Sequence, residues 1–139
     1  MANDSRQQVA MFEIKKASEA EIAKRDDLAG KVAEALAMAG FTVHRDVNQA
    51  SATQGALVWV DPAEDSRGGV FVQWLINPSL SRAAVESAQK GEIQSSAFLY
   101  FSFVTEHMYS TLIAILGSAG FQAGDGDDDM SPYLIRVEG

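Results

Sequence analysis

The sequence predicts an α+β fold, a compact sandwich of a mainly antiparallel sheet with helices, on three observations. A capping box opens a long amphipathic helix, three short β-rich segments bounded by turn formers follow it, and a second helical pattern leads into two more short strands. The chain has 139 residues, which suits one hydrophobic core; two independent cores would each be marginal at this length. We read residues 1–17 as an N-terminal segment, either loose or a short amphipathic piece around Val9, Phe12 and Ile14, and residues 18–139 as a single α+β domain.

Ser18 and Glu21 have the spacing at which side chains satisfy the free amides of a helix start. Ile22, Leu28, Val32 and Leu36 then mark an apolar stripe that Gly40 closes. Phe41–Val47, Ala56–Val60 and Gly69–Ile76 are rich in β-branched and aromatic residues and predict a three-stranded antiparallel meander, with a polar connection over residues 61–69. Asn77 and Pro78 end the third strand, and Ser79 is the expected cap of a short helix that stops at Gly91. Ala97–Val104, AFLYFSFV, is the strongest strand signal in the chain. Thr105 is expected to cap a helix carrying Met108, Leu112, Ile115 and Leu116 and closed by Gly120, before strands around Phe121–Ala123 and Tyr133–Val137. The expected order is therefore α-β-β-β-α-β-α-β-β. Two segments echo each other: LAMAGFTV and LGSAGFQA both place Ala-Gly-Phe between a helix and a strand.

That opening, a helix leading into three strands in a small acidic chain, is similar to the opening of secretion-chaperone folds. The likeness is one of topology, and the order of elements that follows departs from it.

The net charge of −8 is unevenly spread. Residues 1–31 hold six acids and six bases, whereas Gly91–Ile135 contains no Lys or Arg. Phosphate backbones and anionic lipids are bound mainly by those two side chains, so neither nucleic acid nor membrane is an expected partner. The first seventeen residues lack the apolar stretch of a secretory signal, and a cytoplasmic location is expected. Cysteine is absent, which removes disulfides, thiolate metal sites and thiol catalysis.

No spacing predicts a catalytic residue, a metal site or a cofactor. Asp125, Asp127, Asp128 and Asp129 form an acidic loop, but counting from Asp125 an EF-hand would need glycine where Met130 stands and glutamate where Arg136 stands. A solvated hairpin loop is the simpler expectation. His107 beside Glu106 does not make a dyad, because adjacent helical residues point about 100° apart.

The strand patterns point elsewhere. Both faces of Gly69–Ile76, and both faces of AFLYFSFV read as a strand, are apolar, so each face of the sheet needs cover. Trp59, Phe71, Trp74, Tyr100, Phe101 and Phe103 are the interface candidates. The leading expectation is a non-enzymatic acidic protein-binding module of adaptor, chaperone, inhibitor or immunity type, dimerising through an apolar sheet face or bound there by a protein partner. The alternative is a small-molecule binder or small enzyme with a pocket between the aromatic strands and the last helix, where Tyr100, Trp74, His44 and His107 would be inspected first.

Overall fold

The computed structural model describes residues 15–45, 54–128 and 131–139. Among these residues three helices and a five-stranded mixed sheet make an α+β structure. The elements are α1 (Glu19–Met38), β1 (Val43–His44), β2 (Gly55–Asp61), β3 (Gly69–Leu75), α2 (Pro78–Gln89), α3 (Ser96–Ser118), β4 (Gln122–Asp125) and β5 (Ile135–Glu138).

Ser18 caps α1 as expected, its hydroxyl accepting from the Glu21 amide at 3.1 Å. The Glu21 carboxylate turns instead to Arg25, at 3.6 Å one helical turn on. Ala29, Val32 and Leu36 form the buried face, and the helix runs through Gly30 unbroken. Asn77, not Ser79, caps α2: its side-chain oxygen accepts from the Ser79 amide at 2.9 Å.

The sheet order is β1-β2-β3-β5-β4. Every neighbouring pair is antiparallel except β1 and β2. The first three strands are therefore not the simple antiparallel meander expected, because β1 pairs with β2 in parallel. The part of that expectation at Asp46 and Val47 lies outside the described residues. Lys15 to Ala17 belong to the fold, tied to the β2–β3 connection by Ala17 N–H to Pro62 O and Glu64 N–H to Lys15 O, each 2.8 Å.

The strand expected at Ala97–Val104 is helical, the first turns of α3. Ser95 caps this helix by accepting from the Phe98 amide at 3.2 Å. Thr105, expected to be the cap, sits inside the helix and donates its hydroxyl proton to the Phe101 carbonyl one turn back, at 2.8 Å. Local aromatic β-propensity lost to a cap, a register and a packed partner, since Leu112 and Leu116 on the same helix are fully buried.

The core lies between one face of the sheet and two helices. Ala56 and Val58 of β2, Val70 and Val72 of β3, and Ile135 and Val137 of β5 meet Ala29, Val32 and Leu36 of α1 and Leu112 and Leu116 of α3. The short helix α2 packs on α3, so together they form an arm. The β2–β3 connection is clamped by two arginines. Arg25 donates from Nη1 to the carbonyls of Asp61 and Ala63, both at 2.8 Å, and Arg136 donates to those of Ser66 and Gly68.

A Cβ on Gly68 would lie 1.9 Å from the Ala63 carbonyl oxygen and 2.5 Å from Arg25 Nη1, so Gly68→Ala must displace the clamp. Urea denaturation should show a loss of about 2 kcal/mol. The capping assignment is checked the same way: Ser95→Ala should cost about 1 kcal/mol, and Thr105→Ala should stay within about 0.5 kcal/mol of the parent. The opposite ranking would restore Thr105 as the cap.

Candidate functional site

Three surfaces carry the residues singled out from the sequence. The first is the sheet face opposite the helices. Trp59 of β2, Phe71 of β3 and Arg136 of β5 are directly paired across the three strands. The Trp59 and Phe71 rings stack with centroids 5.7 Å apart, and the Arg136 guanidinium lies 4.7 Å from the Phe71 centroid. Phe71 is 4% exposed and Trp59 half-buried. This face, expected to need cover from a helix of the chain or from a partner, covers much of its aromatic surface with its own side chains.

The acidic loop borders the same face. Asp127 and Asp128 line a depression of about 850 Å³ together with Trp59, Arg67 and Arg136. Asp125 ends β4 and its Oδ1 accepts from the Asp127 amide at 3.0 Å, while Gly126 N–H reaches Leu134 O at 2.8 Å. This is the closed β4–β5 hairpin turn. Asp129 lies outside the described residues. Among the described residues no three His, Asp or Glu side chains gather as a metal would require.

The second surface is the arm. Leu99, Tyr100 and Phe103 are 48%, 60% and 56% exposed. Leu99 and Phe103 are one turn apart on α3, with Tyr100 beside them. His107 continues the row, its ring stacked on Phe103 at 3.8 Å and its Nδ1 2.9 Å from the Phe103 carbonyl. Over its 23 residues α3 carries a single residue of the Asp, Glu, Lys and Arg types, Glu106. Among the described residues it is the one helix long and apolar enough to cross a bilayer, a property hidden when the run is read as a strand. Leu112 and Leu116, at 0% exposure, fix its C-terminal half in the protein core.

The third surface is a cleft of about 510 Å³ between the end of β3, the middle of α3 and the segment 131–133. Trp74, Phe101, Tyr109 and Tyr133 supply rings to its wall. Tyr109 and Tyr133 meet edge to face, centroids 5.6 Å apart at 74°. Trp74 also reaches the main core, edge-on to Phe41 at 5.9 Å.

Of the six interface candidates, Tyr100 and Phe103 are exposed on the arm, Phe101 and Trp74 line the cleft, and Trp59 and Phe71 stack on the sheet. His44 is not brought to His107: its Nε2 lies 3.1 Å from the Gln54 carbonyl at the β1 edge. Leu99 was missed because its i, i+4 relation to Phe103 matters only on a helix. Tyr109 and Tyr133 were missed because the pair forms across a long sequence separation, without a local spacing to mark it. Comparison with protein-family models, curated proteins and solved structures gives no match.

Partial burial, followed by the charge of Asp125, holds the Tyr109 phenol above its ordinary value of 10.0. The folded state thus favours the protonated phenol, a contribution to stability present in full below pH 10.0 and lost as pH rises through the folded value. Phenolate absorbance, compared with Tyr109→Phe, should show one late-titrating tyrosine. Asp125→Asn should lower its pKa only partway, because burial is the larger cause.

Proposed function

We propose that this protein is a non-enzymatic protein-binding module, of adaptor, chaperone or inhibitor type, that self-associates through the α2–α3 arm. The observation that carries this reading is the apolar surface of Leu99, Tyr100 and Phe103, about half or more exposed on a helix whose other end is locked into the core. Ordered apolar side chains at such exposure favour association, because burying each removes apolar area from water at roughly 25 cal/mol per Å².

Charge supports a second copy as the partner at this patch. Two chains of net charge −8 repel each other at distance, so a self-interface is favoured where charge is sparse, and the face of Leu99, Tyr100 and Phe103 has only Glu106 near it on α3. The base-free stretch Gly91–Ile135 is then left to attract a basic protein partner at the rim of the dimer. The change from the expected sheet face to the arm follows from packing: Phe71 is spoken for by Trp59 and Arg136, whereas the arm residues are in reach of another molecule.

Light scattering at low and high salt should give twice the chain mass at both, since an apolar interface is not screened. Combined Leu99→Ser, Tyr100→Ser and Phe103→Ser substitutions should give a monomer with an unchanged circular dichroism spectrum. A parent protein that stays monomeric at all concentrations would overturn self-association, and sedimentation with phosphatidylcholine vesicles would instead assign the arm to a lipid surface.

A further inference from the structure

The cleft beside β3 is lined in part by the inward side of the arm, Pro78 and Ser81 of α2 and Phe101, Thr105 and Tyr109 of α3, and shares no residue with the exposed row of Leu99, Tyr100 and Phe103. The geometry points to a binding site for an uncharged small molecule built on one or two aromatic ring systems, oriented by a neutral hydrogen-bonding group. The volume, about 510 Å³, falls within the roughly 300–1,000 Å³ of small-molecule sites.

The walls argue for the chemical class. Trp74, Phe101, Tyr109 and Tyr133 offer four rings, and the edge-to-face setting of the two tyrosines presents a preformed corner into which another ring fits with stacked or perpendicular contacts. Among the described residues no Asp, Glu, Lys, Arg or His lines the cleft, although 22% of the chain is charged. A charged ligand would give up its hydration there without a counter-ion, while a neutral ring gives up little. The polar groups present are neutral ones. Ser81, Thr105 and Ser131 in the lining carry hydroxyls, and that of Thr105, its proton committed to the Phe101 carbonyl at 2.8 Å, has only acceptor capacity to spare. A ligand hydroxyl or N–H matches it.

The probe is N-phenyl-1-naphthylamine, an uncharged fluorophore with two aromatic ring systems, a naphthalene and a phenyl, set against 8-anilino-1-naphthalenesulfonate, which adds a sulfonate to the same ring systems. Trp59→Phe, outside the cleft, leaves Trp74 as the single tryptophan reporter. The expected result is saturable quenching of Trp74 by the neutral dye, with the sulfonate binding about tenfold or more weakly. Ser81→Phe, which fills the cleft, and Tyr133→Ala, which removes an exposed wall, should each weaken the neutral dye by about tenfold with the denaturation midpoint retained. Two independent variants guard against misfolding of either. Leu99→Ser with Phe103→Ser should leave dye affinity unchanged. The proposal is overturned if the two dyes bind alike, if affinity follows the arm substitutions and ignores the cleft ones, or if the neutral dye binds only the monomeric arm variant, which would mean that a second copy fills the cleft.

Discussion

The central strand β3 must be shielded on both faces, and the chain has three described helices with which to do it. Val70 and Val72 point to the face under α1 and α3, and Phe71 points to the other. A sheet with one bare face normally alternates apolar and polar residues. Here the second face is closed by side chains of the sheet itself, with Trp59 stacked on Phe71 and the Arg136 guanidinium laid over it. The arginine earns its place twice, since the group that covers Phe71 also holds the β2–β3 connection by two carbonyls. Because that face is closed without a helix, α2 is free to pack on α3 and extend it into an arm.

The two sheet edges are made by the same device. Gly40 and Gly120 both adopt positive φ, 103° and 97°. In each case the following phenylalanine amide bonds back to a buried leucine carbonyl, Phe41 to Leu36 at 3.1 Å and Phe121 to Leu116 at 3.0 Å. This is the Schellman ending, in which glycine takes the left-handed position and the next apolar residue returns to the core. Val32 and Leu36 on one helix match Leu112 and Leu116 on the other, and all four are fully buried. The correspondence ends at the strands: β1 joins its neighbour in parallel and β4 in antiparallel. A repeated helix ending therefore fixes where each edge strand starts, while its direction of pairing is set by the rest of the sheet.

What was legible in the sequence follows from how local each determinant is. The Ser18 cap, the Gly-bounded strands β2 and β3 and the helix endings at Gly40 and Gly120 are decided within a few residues, and they were readable. The parallel pairing of β1 depends on a partner beyond a long connection. The helical state of residues 96–104 depends on Ser95 at one end and on Leu112 and Leu116 at the other, so a window centred on AFLYFSFV sees only aromatic β-formers. That single misreading also displaced the site, because residues that alternate between two sheet faces become, on a helix, an exposed face at Leu99, Tyr100 and Phe103 and an inward one at Phe101 and Thr105.

The same helix thus does two things at different points along its length. Its C-terminal half contributes Leu112 and Leu116 to the core and could not be changed without a cavity costing about 2–5 kcal/mol per leucine. Its N-terminal half is held by α2 and the Ser95 cap and shows its remaining apolar side chains to solvent. Exposed leucine and phenylalanine add little to the stability of a free chain, because the area they would bury stays in contact with water. Their presence on a helix that is anchored elsewhere is the ground of the proposal that this surface associates. An anchored helix also loses less conformational entropy on docking than a segment that must order at that moment. On the proposed reading fold and binding fall to separate halves of one element, so substitutions in the first two turns of α3 can test binding with the core left intact.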